Sequence, residues 1–404
     1  MMLSLMASLM AIAPAAGSVG AAVRTTTGET VSGLVAGFSA SEGLKLVLDG
    51  GATRALPASS ILQVRFQSDL KLADIPAQVA VALLNGDRLL GTIAGGDGEQ
   101  LKLETAALGR LSIDIEHIRG MTFAADAKTA PPDLKSFLPD KNVTDDLLYR
   151  RISQGTDSIS GTLERLGTED LQFACALGKV KFPFTSTVAL VIAPQYDPPE
   201  VKPPKVFLAL RDGGSLSGHL VELGEGALVL DCLLGKQYQI ELTRLDALRF
   251  TGGGFEYLSD REPVRVEEVP YVGDAQDFRF PYRRDASVTG RPLFAGGTRY
   301  TKGLGVHSRC ALTYDVSAGY ERFEASYALA DEVKELPGKS SVIFRVSVDG
   351  EMRFESPVVG KDDPVRAIPP VLLKGARALR LEVDFADNYD IADRALWLEP
   401  VLIR

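Results

Sequence analysis

The sequence predicts an all-β protein, and three observations support this fold class. Apolar residues alternate with polar ones at a period of two, as in residues 44–48 and 341–348, which is typical of half-buried strands. Turn signals such as Asn85-Gly86 separate these runs. No segment is both long and periodic at the helical spacing.

The first two thirds of the chain repeat one pattern four times. A Gly-x-x-apolar-x-Gly motif occurs at residues 28–33, 86–91 and 213–218, with a weaker copy at 156–161. An alternating strand follows each copy, and a second strand ends on Phe66, Phe123 or Phe250 in three of them. Because these anchors keep their register, we expect four copies of one unit. The units span residues 23–67, 78–124, 147–194 and 205–251.

Each unit resembles an SH3-like or Sm-like small β-barrel. A small sheet escapes unpaired edges by closing on itself, with one long strand that bends at a glycine and serves two sides. The glycines at the expected bends are Gly33, Gly91, Gly161 and Gly218.

The joints between the units are rich in proline or glycine. Residues 130–140 and 194–204 carry several prolines, which predict stiff polyproline spacers between the second and third and the third and fourth units. Residues 251–254 read Thr-Gly-Gly-Gly and predict a flexible link to a further domain at 255–404.

Residues 1–22 have the pattern of a cleaved signal peptide. An apolar run precedes small residues, with Ala13-Pro14-Ala15 and Val19-Gly20-Ala21 as candidate cleavage sites. A membrane anchor is the alternative, but Pro14 and Gly17 interrupt a run already shorter than the roughly 20 apolar residues of a span. We therefore expect a secreted, periplasmic or envelope protein with no transmembrane span in the mature chain.

Composition limits the classes of partner. The formal net charge of −9 argues against nucleic acid, which requires clustered lysine and arginine. Cys175, Cys232 and Cys310 are far apart in apolar contexts and show no C-x-x-C spacing, so we expect small buried side chains rather than disulfides or metal ligands.

The most residue-specific string is YTKGLGVHS at residues 300–308. With YDV at 314–316, the strand and Asp-Gly turn at 341–350, and D-x-A-x-W at 393–397, it resembles the NPCBM family over about residues 255–404. The resemblance implies a galactose-binding-like β-sandwich of jelly-roll type, a module usually appended to secreted proteins and glycosidases. The whole chain is therefore predicted as tandem small β-barrels followed by a C-terminal jelly-roll β-sandwich.

Several residues of this domain are candidates for ligand contact. Aromatic rings cover the apolar faces of sugars, and polar groups bond to hydroxyls. For His307 the more common alternative is a structural hydrogen-bonding residue, and for Trp397, which lies between two leucines, a position in the core is the favoured alternative. The predicted ligand-binding residues are Tyr300, Lys302, His307, Asn388, Tyr389 and Trp397.

Three carboxylates fall within seven residues, at Asp387, Asp390 and Asp393. Hard oxygen ligands at this spacing suit Ca²⁺, so we predict a calcium site. The alternative is a solvated acidic loop, because the segment lacks the glycine and final glutamate of an EF-hand loop.

These observations predict a non-catalytic, exported carbohydrate-binding protein. The sandwich would bind a glycan or glycoconjugate, and the barrels would act as spacer or docking scaffold. The three histidines, His117, His219 and His307, are dispersed, and no nucleophile elbow or nucleotide loop is evident, so no enzyme is expected. Two alternatives stay open: an envelope protein–protein interaction scaffold without sugar binding, and an accessory module of a glycoside-degrading system.

Overall fold

The computed structural model describes residues 19–70, 77–126, 129–139, 144–198, 200–273, 280–387 and 389–404. The chain divides into two compact units, Met1–Gly252 and Gly253–Arg404, and the division falls in the glycine-rich link. The described elements are strands and 3-10 helices of three to five residues. The predicted all-β fold class is therefore confirmed. No helix in these ranges is long and apolar enough to cross a membrane.

The N-terminal unit contains β1 (Gly20–Thr25), β2 (Thr30–Ser39), β3 (Gly43–Val47), β4 (Thr53–Leu56), β5 (Ile61–Phe66), β6 (Val79–Leu83), β7 (Arg88–Asp97), β8 (Gln100–Thr105), β9 (Gly109–Asp114), β10 (Ile118–Phe123), β11 (Asp146–Ile152), β12 (Gly155–Leu166), β13 (Asp170–Cys175), β14 (Gly178–Pro183), β15 (Thr187–Val191), β16 (Lys205–Leu210), β17 (Ser215–Leu223), β18 (Ala227–Cys232), β19 (Gly235–Glu241) and β20 (Leu245–Phe250). Its 3-10 helices are Ala58–Ser60, Ile115–His117, Leu134–Phe137, Phe184–Ser186 and Leu242–Arg244.

These strands form four successive groups of five, β1–β5, β6–β10, β11–β15 and β16–β20, which we call repeats 1 to 4. In every repeat the first strand pairs antiparallel with both the second and the fifth. The second, third and fourth strands form a meander. Closure of each repeat into its own barrel stays a prediction.

Fifth strands join the repeats in two pairs, repeat 1 with repeat 4 and repeat 2 with repeat 3. Strand β5 pairs with β20, and β10 pairs with β15. A single cluster of buried apolar side chains also includes residues from all four repeats. The expectation that the proline-rich joints hold the units apart as spacers is therefore wrong, because proline stiffens a joint locally without preventing the chain from folding back.

The four predicted bend glycines share one structural cause. A side chain at any of them would bring its Cβ to 2.1–2.6 Å from a carbonyl oxygen of the third strand, far inside van der Waals contact. The strand register shifts between the second and fourth residue after each glycine. The glycine thus admits the neighbouring strand just before the irregularity. These residues are Gly33, Gly91, Gly161 and Gly218.

The start of the described chain bears on the predicted signal peptide, of which residues 1–18 lie outside the described ranges. Strand β1 begins at Gly20, and Ala21 is 1% exposed and pairs with Phe66. Cleavage after residue 22 would remove three residues of this strand, whereas cleavage after Ala15 would leave it whole.

The C-terminal unit contains β21 (Phe255–Tyr257), β22 (Arg265–Glu268), β23 (Arg283–Arg284), β24 (Leu293–Ala295), β25 (Thr298–Tyr300), β26 (Gly303–His307), β27 (Cys310–Asp315), β28 (Arg322–Leu329), β29 (Ser341–Val348), β30 (Glu351–Glu355), β31 (Val359–Gly360), β32 (Arg366–Ala367), β33 (Val371–Leu372), β34 (Ala378–Phe385) and β35 (Arg394–Ile403). Its described 3-10 helices are Leu258–Asp260 and Asp331–Glu335.

Two sheets pack face to face in this unit. The seven-stranded sheet has the order β23-β26-β35-β28-β32, with β21 on β35 and β33 on β28, and the six-stranded sheet has the order β22-β27-β34-β29-β30, with β31 on β29. Alternate residues of both sheets face the shared core. Within it the Phe344 ring lies 5.0 Å from Trp397 and 4.9 Å from Tyr327. The predicted C-terminal β-sandwich is confirmed.

Candidate functional site

Three aromatic rings and a carboxylate gather on the loops at one end of the sandwich. We call Tyr271, Phe385, Tyr389 and Asp390 the loop-end cluster. Tyr271 stands nearly perpendicular to both other rings, with centroids 5.2 Å from Phe385 and 4.8 Å from Tyr389. Tyr389 is 57% exposed and Tyr271 47% exposed. The two tyrosines therefore form an aromatic corner that is open to solvent.

Local backbone structure positions these rings. Phe385 ends β34, and Tyr271 follows Pro270 shortly after β22. Tyr389 has a φ of 60°, in the left-handed region that a residue with a side chain seldom occupies, and an antiparallel bridge joins it to Ala386. The Tyr271 N–H donates to Asp390 Oδ2 over 3.3 Å.

Two stacked rings, His307 and Phe280, lie next to the loop-end cluster. The His307 imidazole is 6% exposed, stacks on Phe280 at 4.9 Å and 19°, and lies with Nδ1 3.0 Å from the Ser308 carbonyl oxygen. The Arg394 guanidinium carbon is 5.8 Å from the same Phe280 ring. Burial lowers the pKa of His307, and the nearby Asp390 carboxylate opposes this shift. His307 is thus a covered ring, and its predicted direct ligand contact is corrected to a structural role, in which it stacks on Phe280.

Asp393 is fully buried and anchors the loop that precedes β35. Its carboxylate accepts from Ser308 Oγ at 2.5 Å and from the Ser341 N–H at 3.1 Å. Burial raises the pKa of Asp393 to about 7, although these hydrogen bonds oppose the shift. The Ser341 hydroxyl in turn accepts from the Asp387 N–H at 3.0 Å. Asp393 therefore serves to hold the loop and faces away from solvent.

The structure does not support the predicted three-carboxylate calcium site. Donor atoms of Asp387, Asp390 and Asp393 do not form a group within 4.8 Å of one another among the described residues. The reason is that Asp393 turns inward to its hydroxyl and amide donors. Calcium binding at Asp387 and Asp390 stays a prediction. Asn388 lies outside the described residues.

Two other predicted contact residues lie at the opposite end of β26. Lys302 precedes this strand and His307 ends it, a separation of roughly 17 Å at the strand rise. The Lys302 ammonium forms ion pairs with Asp260 and, at 2.7 Å, with Asp285, and Lys302 is only 9% exposed. Its predicted ligand contact is therefore replaced by a structural role. Tyr300 is half-buried against a small apolar cluster outside the main core, and its ligand contact stays a prediction.

Trp397 does not form a sugar platform. The residue is 1% exposed and meets Phe344 edge-on. Strand β35 is buried on both faces, since Leu396 and Leu398 on its other side are also inaccessible. The predicted ligand contact of Trp397 is therefore wrong, and the core alternative is correct.

Sequence reasoning missed Tyr271, Phe280 and Phe385. Tyr271 and Asp390 are 119 positions apart, so only the paired sheets bring them together. Phe385 had a usable signal, because it ends an alternating strand just before the Tyr389 loop.

Comparison with known proteins identifies this unit. Residues 257–403 match the family model of the NPCBM/NEW2 domain. Over 124 residues the chain is 34% identical to a Renibacterium salmoninarum protein named as an endo-alpha-N-acetylgalactosaminidase. The alignment covers 29% of this chain but spans only 8% of the relative's length.

Solved structures with some likeness include several CBM51 modules. The CBM51 of Clostridium perfringens GH95 in complex with methyl-galactose has 22% identity and a TM-score of 0.32, and the match covers 37% of this chain and 99% of that one. The tandem CBM51 modules of a family 98 glycoside hydrolase from Streptococcus pneumoniae have 13% identity and a TM-score of 0.32, with 80% and 88% covered. On the family match and the observed sandwich, the C-terminal unit of this chain contains an NPCBM/NEW2 domain at residues 257–403.

Proposed function

We propose that the C-terminal unit binds a glycan or glycoconjugate, without catalysis, at the loop-end cluster. The observation that carries the proposal is the exposed corner formed by Tyr271 and Tyr389 beside the Asp390 carboxylate. The family match supports it, because the NPCBM resemblance implies a carbohydrate-binding sandwich.

The chemistry of the cluster suits a sugar. A pyranose ring presents C–H groups on one face, which pack on an aromatic ring, and hydroxyls around its edge, which need hydrogen-bonding partners. Two rings at 73° to each other would contact one face and one edge of the same sugar. Asp387 and Asp390 lie on the same loop and would accept from hydroxyl groups.

The cluster is also held in place before any ligand arrives. The Tyr271 backbone bonds to Asp390, and the loop is tied to β29 through Ser341 and the buried Asp393. Prior ordering lowers the entropy cost of binding. A small exposed aromatic site of this kind would bind a single sugar weakly, with a dissociation constant on the order of millimolar.

A glycan array with the full chain tests this proposal, followed by titration calorimetry on the best ligand. We expect binding that Tyr271→Ala or Tyr389→Ala weakens about tenfold or more. Phe294→Ala is the matched control, because Phe294 is an exposed aromatic residue of β24 that belongs neither to the loop-end cluster nor to the predicted ligand-binding residues, and it should leave affinity within about twofold. No binding at millimolar sugar, or equal losses in all three variants, would contradict the proposed site.

Calcium dependence is tested in the same assay. If Asp387 and Asp390 hold Ca²⁺ with the help of water, a chelator should lower the affinity and added Ca²⁺ should restore it. Affinity that is independent of the chelator would remove calcium from the proposal.

We infer that the chain does not itself hydrolyse glycans. The matched domain is of a binding type, and the relative named as a hydrolase shares only a short part of its length with this chain. That relative's name favours the alternative of an accessory module in a glycoside-degrading system. Release of reducing sugar from a bound glycan by the pure protein would overturn the inference.

We further propose that the protein is exported to the cell exterior, the periplasm or the envelope, where the N-terminal unit presents the sandwich or docks a protein partner. Support comes from the apolar and small-residue pattern of the first 22 residues. Amino-terminal sequencing of the native protein should show cleavage after Ala15, and an intact Met1 in a cytosolic fraction would contradict export. A protein retained in pull-downs despite excess free glycan would favour the docking scaffold.

A further inference from the structure

A second candidate site lies in the N-terminal unit, at the turn before the last strand of repeat 2. Asp114 ends β9, and Glu116 and His117 belong to the following 3-10 helix. One donor atom from each side chain lies within 4.8 Å of the others. Two ligands on one zinc ion are at most about 4.4 Å apart, from bond lengths of about 2.0–2.2 Å. Small side-chain rotations would therefore bring the three donors onto one ion.

The other repeats show that this side-chain set is not needed to build the turn. All four repeats have a three-residue 3-10 helix here, preceded by a residue with φ between −56° and −68° and ψ between 132° and 144°. Pro57 and Pro183 stand in the place of Asp114, and Ser60 and Ser186 in the place of His117. The carboxylates and the imidazole of repeat 2 are thus not needed for the conformation of the turn.

Repeat 4 supplies a direct internal contrast. Glu241 stands in the place of Asp114 there, and the Arg244 Nε donates to it over 3.1 Å from the place of His117. In repeat 2 the arginine is replaced by histidine, and no basic side chain of the described residues lies within 4 Å of Asp114 or Glu116. Repeat 4 therefore carries its own cation, whereas repeat 2 has two carboxylates and an imidazole at a turn of the same backbone geometry.

Neighbouring groups orient the set. The Gln100 amide donates to Asp114 Oδ1 over 3.0 Å, which leaves the second carboxylate oxygen of Asp114 available. Tyr196 stands edge-on to the His117 ring at 6.2 Å. Supporting contacts of this kind fix the orientation of ligand side chains around metals.

We propose that Asp114, Glu116 and His117 bind one divalent transition-metal ion, with Zn²⁺ as the best-matched class. One imidazole and two carboxylates suit Zn²⁺ better than Ca²⁺, which prefers six to eight oxygen ligands. With three protein ligands, a four-coordinate zinc ion would have one position left for water. This site lies in repeat 2 and goes beyond the proposed glycan binding, since it uses no residue of the loop-end cluster.

The test is zinc binding by the full chain without a histidine tag, measured by calorimetry and equilibrium dialysis. We expect one Zn²⁺ to bind per chain. Its affinity should be at least tenfold lower in His117→Gln and in Asp114→Asn. His219→Gln is the matched control, because His219 is a histidine of repeat 4 whose Nδ1 lies 3.1 Å from the Lys202 carbonyl oxygen, and it should not change the affinity. An excess of Ca²⁺ should not displace the zinc.

A second readout is spectroscopic and begins with the wild-type chain. When Co²⁺ replaces Zn²⁺, the wild-type chain should show the visible absorption bands typical of Co²⁺ with a low coordination number. Glu116→Gln should shift these bands. No metal uptake at about 100 μM Zn²⁺, or uptake that His117→Gln and Asp114→Asn both leave unchanged while the circular dichroism spectrum is preserved, would overturn the proposal. Glycan binding is read separately on the array, so either proposal can fail alone.

Discussion

The backbone N–H of Tyr271 donates to the Asp390 carboxylate over 3.3 Å, across 119 positions of sequence. This bond links the segment after β22 to the loop between β34 and β35. Tyr271 follows β22 and Asp390 follows β34, and β27 lies between these two strands in the six-stranded sheet, so the bond depends on the assembled sheet. The aromatic corner of Tyr271 and Tyr389 is therefore a product of tertiary structure rather than of one loop.

We predict that Asp390→Ala lowers glycan affinity more than Asp390→Asn does. Alanine removes the acceptor of the Tyr271 N–H, whereas asparagine keeps a carbonyl oxygen in the same place. The expected losses are about tenfold and about threefold, measured by calorimetry with the array ligand. Equal losses would mean that the negative charge, and not the acceptor, is what matters.

The second prediction concerns the pH dependence of stability at Asp393. Its pKa is raised from 3.8 to about 7 in the folded state, so the folded chain binds the proton more tightly than the unfolded chain. The stabilisation is fully present below pH 3.8 and is lost as the pH rises through about 7. We expect the free energy of unfolding, measured by urea denaturation, to fall between pH 5 and pH 8 by an amount on the order of 2–4 kcal/mol.

Asp393→Asn is the matched variant for this prediction, because an amide has nearly the same shape and cannot ionise. Its urea midpoint should depend less on pH and exceed that of the wild type above pH 7. Trp397 is the only tryptophan of the chain and lies in the same core, so its fluorescence reports unfolding of the C-terminal unit. A wild-type midpoint that rises with pH over this range would contradict the assigned shift.

The third prediction separates stability from binding at Lys302. Lys302→Met should destabilise the C-terminal unit by about 1–2 kcal/mol, because Asp260 and Asp285 lose their shared cation. Glycan affinity should stay within about twofold, since Lys302 is roughly 17 Å from His307 along β26. Lys374→Met, at an exposed position, is the control for loss of charge alone. A tenfold loss of affinity in Lys302→Met would restore its predicted ligand contact.

Sequence reasoning succeeded where a short-range cause acts. The bend glycines could be identified because each recurs at the same position of its repeat, where a neighbouring strand passes close by. Trp397 could be interpreted as a core residue because its neighbours in sequence are apolar. Sequence reasoning failed where distant segments meet. Nothing in the local pattern indicates that Asp393 turns inward to Ser308, or that β5 pairs with β20.

Sequence reasoning also failed to identify the candidate metal site in repeat 2. The three histidines are dispersed in sequence, which argued against a metal set, but one histidine suffices when the turn supplies two carboxylates beside it. Asp114, Glu116 and His117 are close in sequence. They stand out as candidate metal ligands only when the four turns, which share one backbone geometry, are compared with one another.

The last prediction tests the shared bend of the repeats. Gly161→Ala should destabilise the N-terminal unit by about 2–3 kcal/mol, because the new methyl group would lie 2.1 Å from the Ala174 carbonyl oxygen and 2.7 Å from the Phe173 ring. At this unit size the loss corresponds to a melting temperature lowered by about 5 °C or more, measured by circular dichroism. Gly224→Ala is the matched control, because its Cβ would meet its nearest neighbour, the Ala227 carbonyl oxygen, at 3.8 Å, which is an ordinary contact. If both variants melt at the wild-type temperature, the strand after Gly161 can move aside, and the close approach does not explain the glycine at this position of the repeats.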